Sequence, residues 1–195
     1  MPRIVGGTAK GRKLKQPAGD VRPATSRMRQ ALFDYLGDLI ESAHMLDLYS
    51  GSGGLGFEAL SRGAKSVWFV DLSVQAIKTV KENGEILGMS SQMTCILKDV
   101  FRFLRWYDPA LNGMFDIIMA SPPYKISEPN RLLTEIADSG VLKEGGIVCL
   151  EYARHTAEPS HPAFVLDRKK VYGETVVDLY DYVQPSVGIA QNDTE

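Results

Sequence analysis

Five short apolar segments recur along the chain, and stretches of helical periodicity separate them. "HMLDLYS" (44–50), "SVWFVDL" (66–72), "QMTCILKD" (92–99), "FDIIMAS" (115–121) and "GGIVCLEYA" (145–153) read as buried strands. Between them lie "GLGFEALSRG", "SVQAIKTVKENGEILG", "VFRFLRWY" and "EPNRLLTEIADSGVL", which read as helices. Alternation of this kind commits a chain to parallel strands, because a helical crossover returns each strand to the same end of the sheet. "FVLDRKKVYGETVVDLYDYV" then reads as two further strands joined near Gly173, an antiparallel closing hairpin. The expectation is an α/β fold with a mostly parallel, seven-stranded sheet. Ahead of it, "RIVGG" and "RKLKQ" flank "GTAKG" as a short hairpin. Met28, Leu32, Tyr35, Leu36, Leu39 and Ile40 follow at helical spacing, with Thr25 or Ser26 as N-cap. The expected organisation is a basic arm over 1–21, a main domain over 22–185 entered through a helix at 25–40, and a disordered tail at 186–195.

Charge is distributed unevenly. The chain has 195 residues and a net charge of −2. Residues 1–30 hold Arg3, Lys10, Arg12, Lys13, Lys15, Arg22, Arg27 and Arg29 against Asp20 alone. A basic arm on an acidic body is an electrostatic footprint for nucleic acid. The opening segment lacks the apolar core of a secretory leader, no apolar run reaches membrane-span length, and a cytoplasmic protein is expected. Cys95 and Cys149 lie in strand-like segments and are expected to be buried free thiols. His44, His155 and His161 show no ligand spacing, so no metal is expected.

In a doubly wound sheet, ligands meet the chain beyond the carboxyl ends of the strands. The loop after the first strand, "DLYSGSGGLG" (47–56), carries Gly51, Gly53 and Gly56 as G-x-G-x-x-G. Glycines there are expected to let the backbone curve closely around a ligand. A dinucleotide and S-adenosylmethionine are the candidates. Asp47, just before the loop, is badly placed for a pyrophosphate and suits a ligand with an ammonium group. Asp71, at the end of the second strand, suits the two hydroxyls of an adenosine ribose, whichever cofactor is bound. Asp99 could accept from the adenine amine, the Val100 amide could reach a ring nitrogen, and Phe101 could line the ring. The cofactor set expected is Asp47, Tyr49, Ser50, Gly51, Ser52, Gly53, Asp71, Leu72, Asp99 and Val100.

The fourth strand runs into Ser121-Pro122-Pro123-Tyr124. Two prolines fix φ and remove two donors, leaving a stiff, extended corner with carbonyls free of a turn partner. Such a corner could accept both hydrogens of an exocyclic base amine, with Tyr124 stacked on the base at about 1–3 kcal/mol. Orientation matters, because the amine lone pair is delocalised into the ring.

Taken together, Asp47–Gly56, Asp71, Asp99 and Ser121–Tyr124 resemble a class I S-adenosylmethionine-dependent amino-methyltransferase with a Rossmann-like fold. Ser121 stands where that class usually carries Asn or Asp. "RIVGGTAKGRKL", "RPATSRMRQALFDYL", "DLYSGSGGLGFEALSRGA" and "VYGETVVDLYDY" extend the resemblance to the RsmD family, over roughly residues 3–183. That family methylates guanine N2 in bacterial 16S ribosomal RNA, at guanine 966. Its usual R-P-T-x-D-R-x-R-E appears here with Ala24, Ser26 and Gln30 substituted, while Arg22, Pro23, Arg27 and Arg29 are kept. The resemblance implies S-adenosylmethionine as cofactor and 16S rRNA in a small-subunit particle as partner, with a monomeric enzyme. Ser121, Pro122, Pro123 and Tyr124 would hold the base, and Arg3, Lys10, Arg12, Lys13, Arg22, Arg27 and Arg29 the RNA. The other readings are a DNA amino-methyltransferase (cytosine N4 or adenine N6), for which the chain has little room for a target-recognition domain, and a non-catalytic RNA-binding assembly factor. A nicotinamide oxidoreductase ranks last, since no hydride-transfer residues are found.

Overall fold

The alternation resolves into seven strands among the described residues, which in this computed structural model are 2–17, 26–123 and 128–183. The chain enters through helix α1 (Ser26–Leu36) and a 3₁₀ turn at Gly37–Ile40. Then follow β1 (His44–Leu48), α2 (Gly54–Ser61), β2 (Ser66–Asp71), α3 (Val74–Leu87) and β3 (Met93–Leu97). The second half holds α4 (Val100–Trp106), the short α5 (Pro109–Asn112), β4 (Phe115–Ala120), α6 (Pro129–Ser139), β5 (Leu142–Ala153), β6 (Phe164–Tyr172) and β7 (Thr175–Tyr182). The strand order is β3-β2-β1-β4-β5-β7-β6, with β7 antiparallel to both its neighbours and the other pairs parallel. The expected class I architecture, with its closing hairpin, is the one present.

Both faces of the sheet are buried, which is why the strands read as continuous apolar runs. On one face Met45, Phe57, Phe69, Met119 and Leu179 pack with α1, α2 and the arm. On the other Leu46, Leu48, Phe103, Ile118, Leu133 and Tyr152 pack with α4 and α6. In α1 the buried stripe is Met28, Leu32 and Leu36, continued by Ile40 in the 3₁₀ turn, while Tyr35 and Leu39, expected inside, are exposed. In α3 the buried face holds Ala76, Ile77 and Val80 together with small and polar residues. Thr79, Asn83 and Gly84 are buried and Ile86 is exposed; α3 lies close on β3 at Gly84, where a Cβ would come within 2.2 Å of Met93 Sδ. Thr25, the alternative N-cap, lies outside the described residues.

The arm is a hairpin, closed by an antiparallel bridge between Arg3 and Lys13 and by the Ile4 amide on the Arg12 carbonyl at 3.0 Å. It shares the core of the main body: Ile4, Ala9 and Leu14 are buried in the same cluster as Phe33 and Phe57. Its backbone is also bonded to α2. The Val5 amide donates to Glu58 Oε2 at 2.8 Å, the Thr8 amide to the Ser61 carbonyl at 2.7 Å, and the Ala9 amide to Ser61 Oγ at 2.9 Å. At Gly7, φ is +70° and a Cβ would lie 1.7 Å from the Ser61 carbonyl oxygen, so only glycine fits. Lys15 is held by Asn83, its amide donating at 2.8 Å and its carbonyl accepting at 3.1 Å.

Candidate functional site

The register places the two sequence motifs side by side. Leu48, the last residue of β1, pairs with Val70 on one flank and Ala120 on the other. The glycine loop, Asp71 and Ser121 therefore emerge together at the carboxyl end of the sheet. The Ser121 amide donates to the Leu48 carbonyl at 3.4 Å. The strand order reverses between β1 and β4, the place where open α/β sheets leave a crevice.

Loop geometry comes from three positive φ values close together: Tyr49 at 59°, Gly51 at 55° and Gly53 at 79°. Tyr49 is not a glycine and carries local strain there. The Gly51 amide donates to Asp71 Oδ2 at 2.9 Å, the Gly53 amide to the Ser50 carbonyl at 2.7 Å, and the Gly56 amide to Asp47 Oδ2 at 3.0 Å. Gly53 and Gly56 serve a purpose the sequence did not reveal. A Cβ on Gly53 would meet the Phe57 ring at 2.7 Å, and one on Gly56 the Phe69 ring at 2.3 Å. The packing of α2 on β2 therefore demands glycine at both positions, whatever the loop binds.

Asp47 is 3% exposed. Burial pushes its carboxyl up to about 8; the Gly56 amide opposes this and the charge of Asp71 adds to it. Its visible work is to hold the first turn of α2. Asp71 is half-buried; besides Gly51 it accepts from the Ser73 amide at 2.8 Å through Oδ1. Leu72 beside it is 70% exposed at the rim. Asp99 is the N-cap of α4, its Oδ1 accepting from the Arg102 amide at 3.0 Å, and Val100 is buried behind it. Ser50 is buried, and its Oγ has no hydrogen-bond partner among the described residues. An unsatisfied hydroxyl in the loop fits a polar ligand. Ser52 turns toward the arm: its Oγ accepts from Gln16 Nε2 at 2.8 Å and its carbonyl from Asn83 Nδ2 at 3.0 Å.

Glu128 and Arg131, absent from the sequence reading, join Tyr49 and Phe101 to complete this wall. Tyr49 lies near Asp99 and Glu128; burial, with their charges, raises its phenol to about 12, against the opposing charge of Arg131. The Arg131 guanidinium stacks on Phe101 at 4.1 Å and pairs with Glu128 at 2.6 Å. Glu128 and Arg131, three residues apart at the start of α6, were the available signal, but the partner ring comes from another helix.

At the diproline corner, Ser121 Oγ donates to Glu151 Oε2 at 3.0 Å. Ala120 pairs with Leu150, so the next residue of each strand meets across the rim. Pro122 is buried and Pro123 exposed; Tyr124 lies outside the described residues. Glu151 was missed because "CLEYA" reads as plain strand. A cavity of about 350 Å³ lies at the opposite end of the strands, between His44, Asp116 and Lys143, and is remote from these motifs.

Arg3, Lys10, Arg12 and Lys13 are exposed on the hairpin, and Arg27 at the start of α1. Two of them have local partners: Arg3 Nη1 donates to the Gly11 carbonyl at 3.1 Å, and Arg12 to the Ile86 carbonyl. Arg22 lies outside the described residues. Arg29 is a correction. It is 1% exposed, donates through Nη2 to the Arg3 carbonyl at 2.6 Å and faces the buried Glu58, so it fastens the arm and presents nothing to a phosphate. Sequence reasoning also missed Arg168, which stacks on Tyr35 at 4.0 Å, and Lys170 beside it on β6; the two line a small groove against α1. Among the described residues no cluster of His, Cys, Asp or Glu could hold a metal, and no helix is long and apolar enough to cross a membrane.

Comparison with known proteins agrees with this geometry. A provisionally named rRNA methyltransferase of Bacillus subtilis, YlbH, is 37% identical over 180 residues, 91% of this chain and 97% of that protein. The ribosomal RNA small subunit methyltransferase D of Escherichia coli K12 is 30% identical over 91% of this chain and 88% of its own length. A solved structure of a provisionally named E. coli methyltransferase, yhhF, superposes with a TM-score of 0.82 at 26% identity, covering 94% of this chain and 98% of that one. The model of the family described as conserved hypothetical protein 95 matches residues 2–181, and the chain accordingly belongs to that family, the RsmD-family methyltransferases.

Proposed function

We propose that the protein transfers a methyl group from S-adenosylmethionine to the exocyclic N2 of a guanine in 16S ribosomal RNA, at guanine 966, on a small-subunit particle. The observation that carries this reading is the shared rim. The glycine loop, with its unsatisfied Ser50 hydroxyl, and the Ser121–Pro123 corner leave adjacent strands at one end of the sheet. The relatives' printed names supply the RNA.

The loop residues Tyr49 to Gly53 would hold the methionine end of the cofactor, with Asp47 beneath them. Asp71, tied to Gly51, would accept from the ribose hydroxyls, with Leu72 beside it, and Asp99 with the Val100 amide would hold the adenine. S-adenosylmethionine would supply a methyl on a sulfonium, its C–S pair staying on sulfur as the methyl passes to N2 and one N2 proton going to water. No strong base is needed at the corner, and the residues there act by orientation. Arg3, Lys10, Arg12, Lys13 and Arg27 would grip phosphates, and the guanine would be turned out of its stack for a few kcal/mol. Tyr124 is assigned to stack on it. The enzyme would act as a cytoplasmic monomer.

The test is transfer of labelled methyl to small-subunit particles lacking the modification. Incorporation at N2 of guanine 966 is expected. Incorporation into DNA, or binding of particles without any transfer, would overturn the reading in favour of a DNA amino-methyltransferase or an assembly factor.

A further inference from the structure

We propose that the edge strand β6, through Arg168 and Lys170, is a second docking surface for the RNA phosphate backbone, across the diproline corner from the N-terminal arm. The proposal rests on the reading that an RNA base is turned out at that corner.

Residues 165–171 of β6 are all exposed. They include three consecutive cations, Arg168, Lys169 and Lys170, on a body that is net negative beyond residue 30. The middle cation is neutralised: Lys169 pairs with Glu158 and lies 3.9 Å from Asp178, on the face that carries Tyr152. Arg168 and Lys170 alternate to the other face, paired in register with Leu179 and Val177, where α1 and the arm pack. Among the described residues neither of them forms an ion pair. Arg168 is stacked on the Tyr35 ring at 4.0 Å, and the hydroxyl of that tyrosine donates to Asp167, the carboxylate next to Arg168 in the strand. Asp181 lies toward the other end of β6, opposite Val165. Two cations are thus held outward without a counter-charge. Such a pair repels itself. A phosphate chain relieves the repulsion and gives up its counterions in doing so.

The register sets these charges level with the corner. Ala120 pairs with Leu150, so Ser121 stands beside Glu151; Glu151 pairs with Val177, and Val177 with Lys170. Ser121 and Lys170 therefore share one row across four strands, about 14 Å apart at the usual spacing of neighbouring strands. The arm covers the other half of the same face, bonded to α2 and α3. Helix α1 carries the patch toward the rim. Ala31 and Tyr35 line the groove with Arg168 and Lys170, and exposed Arg27 precedes Ala31 by one turn on the same stripe. A base turned out at the corner leaves backbone on both sides of it. A strand gripped on one side only can pivot and restack; a grip on each side keeps the base out.

The test compares Arg168→Gln, Lys170→Ala and the double variant with Lys169→Ala, in binding to small-subunit particles across a salt series and in methyl transfer. Each of the first two should reduce the log–log salt slope by roughly 0.7–0.9, and the double variant by the sum. KM for particles should rise with kcat unchanged, the sign of binding lost equally from ground and transition states. Lys169→Ala should leave the slope alone. p-Benzoylphenylalanine in place of Ala31 should crosslink to ribosomal RNA. A wild-type slope in the double variant, or the same loss from Lys169→Ala, overturns the proposal and leaves the methyltransferase reading intact. Crosslinking only to a ribosomal protein, or to a second copy of this chain, does the same; the charges would then serve a protein contact or guard an edge strand against pairing. Reduced slopes in the variants, with no methyl transfer by wild type, uphold the surface and overturn the transfer reading instead. Should the double variant fail to fold, Lys170→Ala decides alone.

Discussion

Gly51 and Asp71 are joined by a 2.9 Å hydrogen bond from the loop after β1 to the end of β2. One carboxylate thereby shapes the loop and stands at its open edge. Asp71→Ala should weaken S-adenosylmethionine binding by roughly ten- to a hundredfold, since hydrogen bonds to a charged group and the loop conformation are lost together. Calorimetry reads this, and unchanged affinity removes Asp71 from the site.

Asp47 gives a pH-dependent prediction. Its folded-state carboxyl, raised to about 8 by burial, holds a proton that the unfolded chain releases near the ordinary carboxylate range. Between those limits the native state binds more protons, so its stability falls as pH rises. Asp47→Asn keeps an acceptor for the Gly56 amide and removes the titration. Its melting temperature relative to wild type should be higher at pH 8 than at pH 4; an equal difference at both pH values refutes the assignment.

Gly56→Ala places a methyl 2.3 Å from the Phe69 ring, between α2 and β2. Overpacking should destabilise the protein by about 1–3 kcal/mol, measured by urea unfolding, with cofactor affinity changing only through the displaced helix. A neutral effect would mean the ring has room to give.

Two arginines of the N-terminal region should behave oppositely. Arg27→Ala, at an exposed position, should reduce the salt dependence of RNA binding by about 0.7–0.9 in the log–log slope. Arg29→Met should leave that slope alone and lower thermal stability, because it strips the Arg3 carbonyl and Glu58 of a buried partner. The same slope change for both would reverse the burial argument.

Removing residues 2–17 would expose Ile4 and Leu14 and leave Glu58 and Asn83 short of partners. Deletion should cost melting temperature and cofactor affinity as well as RNA binding. A deletion mutant with intact cofactor affinity would show that the arm is separable.

Strand and helix order was legible because both faces of the sheet are covered, so apolar runs mark strands and amphipathic stretches mark helices. Asp71, Ser121 and the glycine loop were legible because parallel topology sends every strand end to one rim. What sequence could not show was side-chain destination. Arg29 looks like Arg27 in the chain, yet a shift of two helical positions turns it inward toward Glu58. Gly56 fits a ligand fingerprint, yet its missing Cβ is dictated by Phe69, 13 positions later in the chain and facing it from β2. Glu151 had no neighbour in sequence to mark it; its partner Ser121 is 30 residues away.

Ser52 is gripped from two sides, by Gln16 of the arm and by Asn83 of α3, and Asn83 in turn clasps Lys15. Anyone grafting this arm onto another member of the family must therefore transplant Glu58, Ser61, Asn83 and the loop serine with it. Arm and loop are a single heritable part, and a chimera that divides them leaves the serine without its clasp.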